Sequence, residues 1–312
     1  MKRISKLGVS ALALAALMTV TANIASAADA DPGCSLHGAV ALGGMYGNQS
    51  YDASSGGPTD LDDNDWITLF GEGAGLVTCD AWNFQADLAY YDHSTEVDVG
   101  AKDVDIGGAN GHLGGALFWR DPSLALGVSG SWVNEDTFFK DIDYLRIGAF
   151  GEFYLGDSFT LGGSGHYFTT TEDILGVKDH DGFELAAIAK FYPSTNLSLS
   201  LRGDMMLSEM SGSGSSLDFD GFAITGEGEY LVWDEGLSVF AGGRFANREL
   251  SFSGNSIDID DLQAYIGIKF AFGSGGASLV ERDRSNAYDN TSVMHEKLPN
   301  WFDSFIAAAG GP

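Results

Sequence analysis

Hydrophobic and polar residues alternate along most of this chain, in runs of about ten residues. In the run 197–208, Leu199 and Leu201 alternate with Ser200 and Arg202. Successive side chains of a β-strand point to opposite faces, so this pattern predicts strands with one apolar and one polar face. We predict twelve strands, at 34–46, 66–77, 82–93, 107–120, 124–133, 144–155, 158–168, 182–192, 197–208, 221–232, 237–248 and 262–272.

The runs come in pairs, and the pairs repeat about every 40 residues. A short turn joins the two runs of a pair, and a longer acidic segment leads to the next pair. Short turns at one end, long loops at the other and an even strand count are typical of an up-and-down membrane barrel. The fold class predicted is therefore all-β: a single 12-stranded antiparallel transmembrane barrel with short periplasmic turns and longer acidic extracellular loops.

Two soluble folds compete with this interpretation. A β-propeller also repeats every 40 residues or so, but its repeats contain four strands and these contain two. A β-sandwich would bury its inner faces, and charges in a dry core need near-complete pairing. A watery lumen explains the charges more simply, and a lumen closed by salt bridges among them is the alternative left open. The predicted pore-lining residues are Glu72, Asp87, Arg146, Glu152, Glu184, Lys190, Arg202, Asp204, Glu227, Glu229, Arg244 and Lys269.

The first 27 residues have the features of a Sec-type bacterial signal peptide. Lys2, Arg3 and Lys6 precede an apolar run too short to span a bilayer, and a small-residue site ends at Ala27. Cleavage there would change the net charge from −28 to −31, because three positive charges leave. So acidic a chain argues against nucleic acid as a partner and favours cations. The remaining chain divides into a short segment at 28–33, a barrel at 34–273 and a tail at 274–312.

The last predicted strand ends "YIGIKFAF", with Gly267 followed by Phe270 and Phe272. This resembles the carboxy-terminal assembly signal of Gram-negative outer-membrane β-barrel proteins of the porin-like class. The resemblance implies location in the outer membrane, insertion by the outer-membrane assembly machinery, and a transport or structural role. One departure is that about 40 residues follow the signal, which ordinarily ends the chain.

Each long segment ends in two aspartates that flank one residue. By strand parity these side chains should point outward above the bilayer, as an acidic collar at the level of lipopolysaccharide head groups. Ca²⁺ or Mg²⁺ bound by these carboxylates could bridge the collar to lipid phosphates. The alternative is that the aspartates simply end the membrane band and discourage edge pairing. The collar consists of Asp63, Asp65, Asp103, Asp105, Asp141, Asp143, Asp179, Asp181, Asp218, Asp220, Asp258 and Asp260.

Smaller signals concern the two cysteines, the aromatic residues and the tail. Cys34 and Cys79 should meet at the periplasmic end of the first two strands and form a disulfide, with two unpaired thiols as the alternative. Aromatic residues near the periplasmic turns suggest an interfacial girdle. The tail begins with a glycine-rich linker and should lie in the periplasm, where it would either plug the barrel or bind a partner. Its last part, 298–311, has the apolar spacing of a short amphipathic helix.

Enzymatic activity is not expected, because the histidines and serines form no recognisable nucleophile motif. The interpretation is a passive diffusion channel for small hydrophilic solutes that prefers cations. The alternative is a non-conducting structural or surface-interaction barrel, anchored through the acidic collar to divalent-bridged lipopolysaccharide. No cofactor is expected other than Ca²⁺ or Mg²⁺ at the outer surface.

Overall fold

The structure, a computed structural model, describes residues 33–54, 63–99, 102–137, 141–170, 177–212, 216–234, 236–252, 255–273 and 278–300. The predicted signal peptide, the glycine-rich linker and most of the predicted amphipathic helix lie outside these residues. All twelve predicted strands are present, and a short thirteenth, β4, is added. The strands are β1 Cys34–Ala53, β2 Asn64–Cys79, β3 Trp82–Val99, β4 Lys102–Ile106, β5 Ala109–Arg120, β6 Leu124–Asp136, β7 Asp141–Leu155, β8 Phe159–Thr170, β9 Val177–Ser194, β10 Leu197–Gly212, β11 Ser216–Trp233, β12 Leu237–Phe252 and β13 Asn255–Phe272.

Twelve antiparallel strands close into one barrel. Each strand pairs with its neighbour in sequence, apart from β4, and β1 pairs with β13 to complete the circle. The register runs from Gly38 opposite Phe272 to Ala53 opposite Ile257. β4 pairs only with the far end of β3, at residues 95–99. Within the barrel, β3 pairs directly with β5.

The strands are longer than predicted at the long-loop end. β1 continues to Ala53 rather than residue 46, and β9 begins at Val177 rather than residue 182. Apolar side chains face outward only where a barrel wall contacts lipid, so hydrophobic alternation marks that band and not the end of the hydrogen-bonded strand. The predicted long loops are therefore partly hairpins that extend the barrel.

The two faces of the wall differ in chemistry as the alternation predicts. In β7, Leu145 and Ile147 are 62% and 65% exposed on the outside. Their neighbours Tyr144 and Arg146 are 1% and 2% exposed and point inward. The outer face is thus an apolar band, and the inner face is polar and buried.

The inner face is buried because the C-terminal segment fills the lumen. After β13 the chain turns at Gly273, whose φ of +74° is strained for other residues. It then forms helix α1, Leu279–Ser285, and a π-helical turn, Val293–Lys297. Neither helix in the described part of the chain is long and apolar enough to cross a membrane.

Of the two roles expected for the tail, residues 278–300 take the first: they lie inside the lumen and plug the barrel, so we call them the plug. A polar segment behind a glycine-rich linker resembles a disordered tail as long as its partners are unknown. The partners are the inward-facing charges of the barrel, which offer counter-charges and hydrogen bonds along the whole lumen.

Candidate functional site in the barrel lumen

The plug enters the lumen from the short-turn end, where α1 contacts the turns. Ser278 and Glu281 form a capping box that begins the helix. The Leu279 backbone N–H donates to the Thr195 carbonyl at 2.7 Å, which fixes the helix to the turn between β9 and β10. Two helix arginines then donate to turn or strand carbonyls, Arg282 to Asp234 and Arg284 to Phe159.

An ion pair anchors the same helix to the wall. The Lys190 ammonium donates to both carboxylate oxygens of Asp283, at 2.8 and 2.9 Å, and the Tyr192 hydroxyl donates to the same carboxylate. Burial alone would raise the pKa of Asp283, but the charges of Lys190 and Lys269 lower it to about 2. The carboxylate is therefore ionised near neutral pH and holds α1 in place.

Beyond the helix, the plug runs through the middle of the lumen as extended chain. The Tyr288 ring stacks on Phe150, with centroids 3.7 Å apart and planes 6° from parallel. The amide group of Gln85 donates to the Tyr288 carbonyl at 2.7 Å and accepts from its N–H at 2.8 Å. A plug residue thus pairs with the Gln85 side chain much as it would with a neighbouring strand.

Two ion pairs follow at the same level. Arg202 donates to Asp289 at 2.8 Å, and Lys297 lies 3.2 Å from Glu72. Burial favours the neutral form of Asp289, but the charges of Lys297 and Arg202 outweigh this and hold its pKa well below the usual range. These pairs neutralise charges of the wall with charges of the plug.

The densest network lies toward the long-loop end. His112 contacts Asp87 at 2.5 Å and the plug residue Glu296 at 2.9 Å. His295, in the plug, contacts Glu135 at 2.7 Å, and Asn300 donates to the same carboxylate. All of these groups are buried, so the network is shielded from water and salt.

Apolar contacts supplement the charges. Val293, Met294 and Leu298 of the plug are at most 6% exposed. They pack against inward side chains of the long-loop half of the barrel, including Met206 and Phe219. Burial of such side chains contributes about 1.5–3 kcal/mol each when complete.

All twelve predicted pore-lining residues point inward, but in this structure they line a filled lumen. Some contact the plug directly, and these are Glu72, Asp87, Arg146, Glu184, Lys190, Arg202 and Arg244. The others bond within the wall, as in the pairs Glu152 with Tyr154, Asp204 with Arg202, Glu227 with Tyr265 and Glu229 with Lys269.

Sequence reasoning missed several lumen residues and did not identify the contacts of the plug. Arg248, which is 1% exposed, donates to the Pro299 carbonyl at 2.7 Å and pairs with Asp261 at 2.9 Å. Arg120 donates to the Asn286 carbonyl at 2.9 Å. Both arginines lie at strand ends, beyond or at the edge of the apolar band from which the inward set was chosen.

The collar aspartates with described side chains lie on the outer surface. Asp63, Asp65, Asp141, Asp143, Asp179, Asp181 and Asp218 are exposed, and Asp220, Asp258 and Asp260 are half-buried. The side chains of Asp103 and Asp105 fall outside the described part. Strand register puts four carboxylates in one outward row, Asp52 opposite Asp258, Asp258 opposite Glu249 and Glu249 opposite Asp220. Within the described residues, no group of three or more His, Cys, Asp or Glu is arranged to hold a metal ion.

Cys34 and Cys79 face each other in the register of β1 and β2 and form a disulfide. Gly267, Phe270 and Phe272 lie in the second half of β13, toward the short-turn end of the barrel, and Phe270 is exposed on the outer face.

The aromatic girdle forms only in part. Of the nine aromatic residues near the periplasmic turns, those that face outward are Trp82, Phe159, Phe191, Tyr230 and Trp233, whereas Phe118, Tyr154 and Tyr192 are buried in the lumen. The ninth, Trp119, is opposite Trp82 and half-buried. Tyr154 lies beneath the plug residue Arg284, whose guanidinium is 4.9 Å from the ring centroid. The inward members of the set therefore support α1 rather than contact lipid.

Three Ser–His contacts occur among the described residues. Ser129 Oγ lies 2.8 Å from His166 Nε2, Ser208 Oγ lies 3.0 Å from His180 Nε2, and Ser35 Oγ lies 2.7 Å from His37 Nε2. In the described residues no carboxylate lies within 4.0 Å of these three imidazoles, so each pair lacks the group that orients the histidine in a hydrolase.

No protein-family model matches the chain, and no curated protein matches its sequence. The solved structures to which it is similar are outer-membrane β-barrel proteins. An outer-membrane channel from Pseudomonas putida F1 is 12% identical, with 75% of this chain and 95% of that chain covered and a TM-score of 0.48. A Pseudomonas aeruginosa FadL homologue is 10% identical, with coverage of 77% and 90% and a TM-score of 0.43. The CymD monoaromatic hydrocarbon channel is 10% identical, with coverage of 78% and 90% and a TM-score of 0.39. All three scores are below 0.5, and no ligand or function passes from these proteins to this chain.

Proposed function

We propose that the protein is an outer-membrane β-barrel channel for small hydrophilic solutes, which the plug holds closed. The closed barrel with an apolar outer band supports a membrane location, because only closed barrels and helices satisfy the backbone inside a bilayer. The chain would be exported through its signal peptide and inserted by the outer-membrane assembly machinery, which would act on Gly267, Phe270 and Phe272.

One observation carries the gating role. The plug is bound to the lumen by hydrogen bonds and ion pairs to side chains, and it is a separate segment from the wall. Its removal would leave Glu72, Lys190 and Arg202 facing water, where charged groups are at low cost. A wall of hydrated charges is a polar diffusion path, and a solute would pass when the plug is displaced.

Cation preference is part of the proposal. Among the twelve inward residues named from the sequence, seven are acidic and five basic, a difference of two. The outer acidic row adds a negative potential at the long-loop mouth, which concentrates cations there. We expect a modest preference, because the lumen charges are nearly balanced.

Single-channel recording in a planar bilayer with a salt gradient tests the proposal. The mature chain should open rarely, and a chain that ends at residue 273 should give frequent steps with a cation-selective reversal potential. A chain that ends at residue 300 keeps the plug and is the matched control, which should behave as the full chain. Silence of a correctly folded chain ending at residue 273 would reject the channel.

The row of outward carboxylates supports a second candidate, a surface barrel anchored through divalent ions to lipopolysaccharide. Like charges directly opposite each other on neighbouring strands destabilise a sheet, and Ca²⁺ or Mg²⁺ between them would remove the repulsion. Binding to lipopolysaccharide vesicles in Ca²⁺, abolished by a chelator, would support this candidate. Equal binding with and without the chelator would count against it.

A further inference from the structure

A cavity of about 110 Å³ remains between the plug and one side of the barrel wall. The barrel contributes residues of β1 to β3 and β9 to β13, and the plug contributes Asp289, Val293 and Lys297. Two other cavities along the plug are about 20 and 10 Å³. The larger volume is several times what one water molecule needs, so a ligand of several non-hydrogen atoms fits.

Most charges around this cavity are paired. Glu72 has Lys297 at 3.2 Å, and Arg202 has Asp289 at 2.8 Å. Each of these pairs joins the wall to the plug. They leave no net charge for a ligand to satisfy.

Arg244 and Glu227 are the exceptions. Arg244 is 5% exposed and donates to Thr225 at 3.1 Å and to Gln263 at 3.0 Å, with a longer contact to the Lys297 carbonyl. In the described residues, no carboxylate oxygen lies within 4.0 Å of its guanidinium, and no Lys, Arg or His nitrogen lies within 4.0 Å of the Glu227 carboxylate. Arg244 is buried and Glu227 is half-buried. Neither has a direct ion-pair partner, so each can bind the opposite charge of a ligand.

The two groups stand side by side on the inner wall. Arg244 is opposite Thr225 in the register of β11 and β12, and Glu227 lies two residues further on the same face. Such diagonal neighbours are about 7–8 Å apart, which leaves space for a ligand group on each. Tyr265 lies between them, with its hydroxyl 3.1 Å from Glu227 and its ring centroid 5.8 Å from the Arg244 guanidinium.

The other wall of the cavity is aromatic. Phe70 stacks on Tyr91 with centroids 5.8 Å apart, and Phe240 lies 6.2 Å from Phe70. All three rings are at most 8% exposed. They offer an apolar surface for methylene groups of a molecule whose ends are charged.

We infer that this cavity binds a small zwitterion, such as a short ω-amino acid or a free amino acid. Arg244 binds its carboxylate, Glu227 binds its ammonium group, and the aromatic wall contacts its carbon chain. This goes beyond the proposed channel and requires only that the plug is docked. Since plug residues complete the cavity, a bound zwitterion also stabilises the docked plug.

Isothermal titration of the folded mature protein in detergent tests this with three ligands of equal length. We expect saturable binding of 4-aminobutyrate, and binding at least about ten-fold weaker for butyrate and for butylamine, because each leaves one protein charge unpaired. Glu227→Gln should reduce 4-aminobutyrate binding to the level of butyrate, and Arg244→Gln to the level of butylamine. Glu152→Gln changes a lumen carboxylate outside the cavity and should leave the affinity unchanged.

Absence of saturable 4-aminobutyrate binding, or equal binding of all three ligands, would overturn the inference. Butyrate binding as tight as 4-aminobutyrate would make this an anion site instead. The comparison of ligands uses the unaltered protein, so it decides even when a variant does not fold. Bilayer conductance is measured separately, so failure of the channel and failure of this site are distinguishable.

Discussion

The imidazole of His112 in the barrel wall lies 2.9 Å from the carboxylate of Glu296 in the plug, and neither side chain is exposed to solvent. Asp87 flanks the other ring nitrogen at 2.5 Å, and Arg146 lies 3.7 Å from Glu296. Docking therefore buries the charge of Glu296, and His112 and Arg146 of the wall compensate it. Loss of a single charge in this contact should weaken docking.

Glu296→Gln should weaken docking of the plug on the order of 3 kcal/mol, since it removes the plug carboxylate that lies against both His112 and Arg146 in the buried network. The measurement is the rate of trypsin cleavage after Arg284 and Lys297, which should rise in the variant as the plug leaves the lumen more often. Asp179→Asn, on the exposed outer surface, is the matched control and should not change the rate. Equal protection of Glu296→Gln and the unaltered protein would contradict the docking role.

Docking should also depend on pH, through His295. Burial alone would lower the pKa of His295, but the hydrogen bond to Glu135 and the charges of Glu135 and Glu184 raise it above its usual value, against the opposing charge of Arg146. A pKa raised by docking stabilises the docked plug below the undocked value, about 6.5, and this contribution is lost as the pH rises through the docked pKa. Hydrogen exchange of residues 286–300, corrected for its intrinsic pH dependence, should therefore show less protection at higher pH.

Asp283 and Asp289 should make docking of the plug weaker at low pH, because their pKa values shift downward rather than upward. Their pKa values are lowered in the lumen, so their contribution is present above about 3.9, the usual value, and is lost as the pH falls through the lowered values. The His295→Gln variant should lose the alkaline decrease in protection and keep the acid one. A decrease at high pH that persists in this variant would assign it to another group.

Prediction from sequence succeeded where one physical rule acts along the whole strand. A barrel wall with an apolar outside and a polar inside must alternate, so Leu145 and Arg146 reveal their faces without any structure. The long-loop ends of the strands were not predicted, because outward side chains above the apolar band are polar. Asp181, opposite Thr169, belongs to the barrel sheet as fully as Leu185 does.

The sequence left open whether the tail plugs the barrel, because the contacts of the plug are not periodic. Its extended part and its π-helical turn have no repeating apolar spacing, and their charges are paired one by one with distant strands. A signal was present in the distribution of Lys and Arg. Of the 13 that remain after three leave with the signal peptide, three belong to the long acidic segments of the sequence, at 102, 140 and 178. The other ten line the lumen or belong to the plug, namely Arg120, Arg146, Lys190, Arg202, Arg244, Arg248, Lys269, Arg282, Arg284 and Lys297.

Gly114 provides space for the plug, so Gly114→Ala should loosen docking. A Cβ there would be 2.4 Å from an Asp87 carboxylate oxygen and 2.8 Å from the amide nitrogen of the plug residue Asn290. Overpacking of this kind costs about 1–3 kcal/mol, and trypsin cleavage of the plug measures it. Gly111→Ala is the matched control on the same strand, because a Cβ there meets nothing within 4 Å. Equal protection of both variants would argue against a steric role.

The disulfide between Cys34 and Cys79 should contribute to stability of the barrel. It spans 45 residues, and closure of a loop of this length stabilises the folded state by at most about 4 kcal/mol. The double variant Cys34→Ser and Cys79→Ser should therefore unfold at a lower urea concentration. The folded fraction at each urea concentration is read from the gel mobility of unheated samples, compared with a heated, unfolded reference. The reduced, unaltered protein should match the variant, and a midpoint that does not change in either would show that strand pairing alone fixes this edge.

Asp258 lies directly opposite Asp52 on one side and Glu249 on the other, so its charge should destabilise the outer surface when divalent cations are absent. Asp258→Asn removes two like-charge contacts, each of about 0.2–1 kcal/mol, and should raise the free energy of unfolding in a chelator by about 1 kcal/mol. Millimolar Ca²⁺ should stabilise the unaltered protein more than the variant and so shrink this difference, because cations offset the same repulsion. Asp143→Asn is the control, since Asp143 faces Asn134 rather than a carboxylate and accepts a hydrogen bond from it at 2.8 Å. A gain that is the same with and without Ca²⁺ would mean that the collar ends the membrane band without binding divalent cations.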